Sequence, residues 1–475
     1  SGANLTNLPA SGATSINGLS DATVYNTTTI GLGSGALDSM SSGNGRNTAV
    51  GYNALTANTS GYNNTAVGHL AGTAITDGYQ NTLLGDRTGT ALTTGDNNTA
   101  LGQHALKSAT TADGNTAVGF DCMAGNTSGA NNTAIGIYAL DAVNTGDSNI
   151  AIGHTAMTSN TSGHESVAIG RSALYTNTTG ADNVAVGYSA MDANTTGASN
   201  VAVGHSALKG NTTAQSNVAI GFYALNSNTS GGSNTAIGRR ALNSNTTASY
   251  NTAIGRNALY TNTGEKNTAI GYYALNSNQS AANNTAVGYA ALDANTSGSY
   301  NTAMGQDSLG LNTTGQQNNA YGRESMMKNT TGSYNTGLGN QALQENTTAS
   351  NSVAVGYSAL IANTEARNTG IGNAALAANT TGTKNTGLGY GGGENITTGS
   401  NNTCLGNVAY ASSATVDNEF TLGDGNINNL RCADTSISAL SDSRDKTNIV
   451  DIPLGLTFLN TIRPVSFDWD TRDGT

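Results

Sequence analysis

A short motif that returns at a strict period is the feature that most constrains this chain. The sequence NTAVG at residues 47–51 recurs at 64–68 and, with small changes, through most of the protein. Its glycine, called the motif glycine here, occurs 24 times between Gly33 and Gly423, at a period of about 17 residues. This unit is too short for a helical hairpin or a propeller blade. It predicts an all-β chain, a parallel β-solenoid of about 24 coils.

Columns within the unit predict the secondary structure of one coil. The residue directly before the motif glycine is aliphatic or Met in 23 of 24 coils, and the residue before it is mostly Ala. This alternation predicts a short first strand. Four residues after the motif glycine, Leu or Met occurs in 19 of 24 coils, which predicts a second short strand.

Asn opens the first strand in 20 of 24 coils. Stacked coils would place these amides about 4.8 Å apart, so they should form a hydrogen-bonded ladder. Sequences such as NTTG at 177–180 follow the second segment and predict a turn.

The predicted core of one coil is thin. About three aliphatic side chains must offset a backbone entropy of about 1–2 kcal/mol per ordered residue. We therefore expect several chains to wind side by side and to bury the aliphatic column against one another. A Thr column, with Thr48 and Thr65, lies on the same face by alternation, and we expect it to be buried as well.

Composition narrows the classes of partner and site. The net charge of −11 and the lack of clustered Lys and Arg argue against nucleic acid, so a sugar-like or protein partner is favoured. No stretch reaches the 18–20 apolar residues of a membrane span. Three cysteines form no disulfide framework, which indicates synthesis in a reducing cytosol. Cys122 and Cys404 stand in Ala positions and should be small buried residues.

The histidines predict no metal site within one chain. His69, His154 and His205 share the position directly after the motif glycine, but the closest are three coils, about 14 Å, apart. A ring of symmetry-related histidines about a trimer axis stays open as an alternative. Other coils place large side chains at this position: Tyr52, Arg171, Phe222 and Arg256. We predict no metal and no cofactor.

The repeat resembles a known family. The sequence SVAIG at 166–170, followed by Ser172 and Ala173, resembles the head repeat of trimeric autotransporter adhesins. The resemblance covers about residues 29–427. It implies a left-handed parallel β-roll that assembles as a homotrimer.

The C-terminal segment resembles a second family. SDSRDKTNI at 441–449 and FLNTIRPVSFDW at 458–469 are similar to the opening of the peptidase-type intramolecular chaperone of endosialidases, a module that ends many phage tail fibres. The resemblance implies that the module templates trimer assembly and then removes itself. Ser441 would be the nucleophile and Lys446 the base, with scission between Ser441 and Asp442. A partly desolvated Lys can accept the serine proton. The family's domain is longer than residues 441–475.

These observations predict a homotrimeric phage tail fibre that attaches a virion to its host. The expected parts are a connector at 1–28, a β-roll shaft at 29–427, a junction at 428–440 and the start of the chaperone at 441–475. The fibre would assemble in the host cytoplasm, and an upstream segment would join other tail proteins. A bacterial surface polysaccharide or protein would be the receptor, recognised by the irregular distal end at 407–440.

Two other classes of protein share part of this pattern. A bacterial trimeric adhesin head shares the repeat but should end in a membrane-anchoring barrel, and the chaperone-like ending speaks against it. An ice-binding solenoid is suggested by the stacked threonines, but their expected burial weakens that interpretation.

Overall fold

A computed structural model describes residues 22–26, 28–41, 45–429 and 431. No helix occurs in this part of the chain. Its 25 strands are β1 Ala22–Asn26, β2 Thr29–Leu32, β3 Thr48–Val50, β4 Thr65–Val67, β5 Thr82–Leu84, β6 Thr99–Leu101, β7 Thr116–Val118, β8 Thr133–Ile135, β9 Ile150–Ile152, β10 Val167–Ile169, β11 Val184–Val186, β12 Val201–Val203, β13 Val218–Ile220, β14 Thr235–Ile237, β15 Thr252–Ile254, β16 Thr268–Ile270, β17 Thr285–Val287, β18 Thr302–Met304, β19 Asn319–Tyr321, β20 Thr336–Leu338, β21 Val353–Val355, β22 Thr369–Ile371, β23 Thr386–Leu388, β24 Thr403–Leu405 and β25 Phe420–Leu422.

Strands β2 to β25 stack in sequence order with parallel pairing. Each strand from β3 to β24 pairs in register with the strands of the coils before and after it; Val167 in β10, for example, pairs with Ile150 and Val184. β1 pairs antiparallel with β2, at the first coil of the stack. The predicted parallel β-solenoid is confirmed, and each coil contributes one short strand.

The interior of each coil is built from small and large residues on facing segments. The middle residue of almost every strand is buried, as at Ala202, and so is the Leu or Met four residues after the motif glycine, as at Leu208. Their volumes compensate each other. Where Leu83 replaces the strand Ala, glycines stand in the Leu position of its own coil and of the preceding coil, because a Cβ on Gly89 or Gly72 would approach the Leu83 side chain to 2.9–3.1 Å.

The aliphatic column does not line this interior. Side chains directly before the motif glycine point outward and stay half-exposed, for example Ile135 at 41% and Leu338 at 48%. Thr48 and Thr65 point outward with them, so the expected burial of the Thr column is wrong for the single chain. The physical reason is space: the Leu of the second segment fills the coil, and only Ala or another small residue fits opposite it.

The second segment is not a strand, which corrects the sequence prediction. Two residues in nearly every coil adopt left-handed backbone conformations there, such as Ser206 with φ 54° and Leu208 with φ 52°. Their amides consequently point in opposite directions along the stack. The Ser206 N–H donates backward to the Tyr188 carbonyl at 2.9 Å, and the Leu208 N–H donates forward to the Ala224 carbonyl at 2.9 Å.

Buried asparagines connect the coils in two ladders. In the predicted strand ladder, the Asn200 N–H donates to Asn183 Oδ1 at 3.0 Å, and Asn200 Nδ2 donates to the Ala214 carbonyl at 2.9 Å. A second ladder runs through the turns, where Asn194 Nδ2 donates to Asn177 Oδ1 at 2.7 Å. Hydrogen bonding of this kind lets polar residues be buried without the cost of unpaired groups.

The motif glycine is required for two reasons. Its φ lies between +123° and +146° in nearly every coil, a region that residues with a Cβ rarely adopt. A Cβ would also meet the glycine of the next coil, as at Gly255, where the Gly271 carbonyl oxygen would lie at 2.3 Å.

Candidate functional site

The predicted catalytic residues Ser441 and Lys446, and the scission point before Asp442, lie outside the described residues. Residues 420–423, upstream of this segment, are described, and Phe420–Leu422 of them form β25. The chain divides into units 1–425 and 426–475, and of the second unit residues 426–429 and 431 are described. The autocleavage site therefore stays a prediction.

An outward apolar face runs along the stack. We call the residues directly before the motif glycines, from Leu32 to Leu422, the apolar stripe. Members of the apolar stripe that expose 37–48% of their surface occur along most of the stack, as Leu84, Ile220 and Leu388 show. Isolated soluble proteins rarely present so long an apolar surface, so this face is a candidate interaction surface.

The histidine column faces solvent. His69 lies on the Tyr52 ring and its Nδ1 is 2.8 Å from Asp86 Oδ1, a contact that lowers the Asp86 pKa. His205 stacks on Tyr188 at 5.0 Å.

One grouping that could hold a metal occurs in the described part of the chain: exposed His164, Glu165 and Asp182, with ligand atoms within 4.8 Å of one another. The sequence prediction did not foresee this grouping. All three side chains are solvent-exposed, so the proximity alone does not make a site.

A ladder of aromatic and arginine side chains occupies the position directly after the motif glycine. In eight consecutive coils this position holds Arg171, Tyr188, His205, Phe222, Arg239, Arg256, Tyr272 and Tyr289. We call these eight residues the aromatic–arginine ladder. Neighbours contact each other almost throughout. The ring of His205 is 5.2 Å from that of Phe222, the Arg239 guanidinium lies 5.7 Å from the Phe222 ring, and Tyr272 stacks on Tyr289 at 5.4 Å.

An open groove of about 430 Å³ lies beside the middle of this ladder. Phe222, Tyr223 and Tyr260 supply its aromatic walls, and Arg239 and Arg240 supply its charge. Asn226 and Asn243 complete the lining. Each donates its amide N–H to a backbone carbonyl, at 3.0 Å to Ser206 and at 3.1 Å to Tyr223, which fixes the side chain in place. No member of the apolar stripe lines this groove.

The positive charge of the groove is not neutralised by the protein. Arg239, Arg240 and the neighbouring Arg256 are exposed, and none of them forms an ion pair within the described residues. Arg323 occupies the same column four coils beyond Arg256, but its guanidinium lies 2.6 Å from Glu324 Oε1. That contact contributes to a lowered Glu324 pKa, after the larger effect of a hydrogen bond from Gln341.

The sequence contained a signal for this surface. Aromatic and arginine residues share one column of the repeat, as Tyr52, Arg171, Phe222 and Arg256 show. From the sequence this column indicated only that the position is not reserved for metal-binding histidines. The groove itself also needs Tyr223, Arg240 and Tyr260 from neighbouring columns, and only the stacking of coils brings these together.

The two described cysteines are buried, as predicted. Burial is the main cause that raises the pKa of Cys122 to about 12, and it raises that of Cys404 as well. A thiol in this state is a poor nucleophile.

The chain matches no protein-family model, no curated protein and no solved structure. Within the described residues no helix is long and apolar enough to cross a membrane. The solenoid, its apolar stripe and the aromatic–arginine ladder are therefore the observations from which a function can be argued.

Proposed function

We propose that this chain forms the shaft of a homotrimeric phage tail fibre that attaches a virion to a bacterial surface. The apolar stripe is the observation that carries the proposal. A side chain that is about 40% exposed would contribute roughly 0.6–1.2 kcal/mol if the rest of it were buried. Repeated along the shaft, that contribution favours permanent cover by other chains.

Further copies of the same chain are the cover that fits best. A stripe with the period of this repeat matches another stripe of the same period along its whole length, and closed rotational symmetry is the usual arrangement of identical chains. The resemblance of residues 29–427 to trimeric adhesin heads supports three copies and a left-handed β-roll.

Sedimentation of the full-length protein tests this step. We expect three chains, and we expect Ile169→Lys with Ile220→Lys to release monomers, because each change places a charge in the apolar stripe. Tyr357→Lys is the matched control: Tyr357 is 55% exposed and lies two residues beyond the stripe, outside it. A folded monomer of the unaltered protein would reject the trimer.

We also propose that the C-terminal chaperone assists trimer assembly and is then removed by cleavage between Ser441 and Asp442. The resemblance of residues 441–469 supports this step. Full-length protein expressed from its gene should appear as two fragments on a denaturing gel, and Ser441→Ala or Lys446→Ala should remain intact. Cleavage that persists in both variants would remove the proposed roles of these residues.

Attachment is proposed to occur at the distal end of the mature fibre in the virion, with a bacterial polysaccharide or protein as the receptor. Irregular coils support this location, since Tyr410 and Phe420 expose 47% and 62% of their surface near the end of the stack. Exchange of residues 407–440 with those of a related fibre should transfer host adsorption. Adsorption that follows the shaft instead would contradict the assignment.

Ice binding is a second candidate, because the outward Thr column removes the argument that sequence alone raised against it. Thr48, Thr65 and Thr133 share the outward face of the first strand with the apolar stripe. A trimer that buries this face leaves no such surface for ice. Thermal hysteresis by a monomeric shaft, and its loss on replacing Thr65 with a bulky residue, would favour ice binding over the fibre.

A further inference from the structure

The middle of the shaft carries a local charge opposite to that of the whole chain. Residues 193–264 contain Lys209, Arg239, Arg240 and Arg256 but no Asp or Glu, although the protein as a whole has a net charge of −11. The groove beside the aromatic–arginine ladder lies within this segment. A cationic site on an otherwise acidic surface selects an anionic ligand by charge complementarity.

The ring geometry indicates what kind of anion fits. Tyr188 stacks on His205, and Tyr272 stacks on Tyr289 with only 7° between the ring planes. Guanidinium groups cover further ring faces, as Arg256 does at 5.6 Å from Tyr272. Rings that stack on one another present their edges to solvent. Single-stranded nucleic acid binds by stacking its bases on free aromatic faces, and the ladder offers few.

The groups that remain available are hydrogen-bonding groups. Tyr223 and Tyr260 bring hydroxyls, Asn226 and Asn243 bring amide oxygens, and the arginines bring fork-shaped donors that match carboxylates. Hydroxyls and carboxylates repeated along an extended chain are the chemistry that this surface would satisfy.

We propose that the groove and the adjoining ladder bind an acidic polysaccharide, a sugar chain that carries carboxylate groups. Arg239, Arg240 and Arg256 bind the carboxylates, and the tyrosine and asparagine side chains bind the sugar hydroxyls. The groove volume of about 430 Å³ falls in the range of small-ligand sites, so it accommodates a short stretch of the polymer. The ladder continues the contact along the stack of coils. This site is separate from the distal end and requires neither the fibre assignment nor cleavage.

Binding of the full chain to immobilised polygalacturonate tests the proposal, with pullulan as a neutral polysaccharide, polyglutamate as an acidic peptide and poly(dT) as single-stranded nucleic acid. We expect polygalacturonate to bind most tightly. Replacement of all three arginines by Gln should weaken binding at least 100-fold, because one charge-assisted contact contributes about tenfold or more. Tyr260→Phe, which removes one hydroxyl, should weaken it several-fold.

Arg323→Gln is the matched control, since Arg323 stands in the same column but is paired with Glu324. Its affinity should stay within twofold of the unaltered protein. Unchanged thermal unfolding of each variant by circular dichroism shows that a loss of binding is not a loss of fold. The proposal is overturned if polygalacturonate does not bind, if the triple variant binds as well as the original, or if any of the other three polymers binds as tightly.

Discussion

Replacement of a motif glycine by alanine tests the physical basis of the coil. Gly255 has φ +134°, and a Cβ there would lie 2.3 Å from the Gly271 carbonyl oxygen of the next coil. The oxygen cannot move away easily, because the Gly271 N–H on the same residue donates to the Ile254 carbonyl at 2.8 Å. Strain at such a φ costs about 1–3 kcal/mol, and overpacking costs about 1–3 kcal/mol more. Gly255→Ala should therefore lower the free energy of unfolding by about 2–6 kcal/mol.

Gly232→Ala is the internal comparison. Gly232 does not have a left-handed φ, and the only atom that its Cβ would approach within 4 Å is the Gln215 carbonyl oxygen at 3.3 Å. We expect a change within about 1 kcal/mol, of either sign, since Ala also restricts the unfolded chain. The contrast between the two variants isolates backbone conformation and close approach from the mere addition of a methyl group.

Guanidinium unfolding followed by far-UV circular dichroism, at one fixed chain concentration, gives the energies. Hydrogen exchange locates the effect, because each coil of a solenoid contacts only its neighbours and the loss of protection should centre on the coils around Gly255 and Gly271. A Gly255→Ala protein that unfolds within about 0.5 kcal/mol of the original, the range of an ordinary surface substitution, would refute this account of the motif glycine. An equally harmful Gly232→Ala would refute it too.

Buried groups give three further predictions. Asn228→Ala should destabilise the chain by about 2–4 kcal/mol in the same unfolding assay, because Asn228 forms hydrogen bonds with Asn211, Gly231 and Asn245 in the turn ladder. Replacement of the exposed Ser230 by Ala should change stability by less than about 0.5 kcal/mol. Equal effects of the two substitutions would show that the turn ladder does not stabilise the fold. Asp293→Asn should raise the free energy of unfolding at pH 7 by about 1 kcal/mol, since Asp293 Oδ1 is buried without a partner. Burial, and next the charge of Asp307, raise the Asp293 pKa, so ionisation of this side chain costs stability at pH 7. The gain should shrink as the pH falls through the raised pKa and vanish below the ordinary Asp pKa of about 3.9, and a gain that persists at roughly pH 3 would contradict this origin. Cys122 should react with a thiol reagent only on unfolding, given its burial and its pKa of about 12, and rapid labelling of the native protein would show that its coil opens.

Much of the fold could be predicted from the sequence because its physical determinants repeat. The period defined the coil, the alternation of Ala with aliphatic residues defined the first strand, and Asn at one position predicted the strand ladder that Asn183 and Asn200 form. The Ala positions of Cys122 and Cys404 predicted their burial correctly. Each of these inferences depends on neighbours in the chain or on the same position one coil away.

The sequence could not decide which face of the strand is the inside. Alternation places Ala49 and Val50 on opposite faces, but it does not say which face is enclosed, and the usual association of larger apolar residues with the core pointed the wrong way. The second segment was misread for a related reason. A Leu that recurs on one side looks like a strand residue, whereas Leu208 reaches the interior from a left-handed backbone conformation.

The groove shows what tertiary structure alone decided. Phe222, Arg239 and Tyr260 come from three successive coils, and no local pattern joins them into one surface. The repeat itself determines that every coil presents one side chain after its motif glycine. Whether those side chains stack depends on which residues the coils above and below contribute: Arg256 lies over the Tyr272 ring of the next coil, whereas Arg323 pairs with its chain neighbour Glu324. A period is a property of the sequence, but contact between coils exists only once the chain has wound.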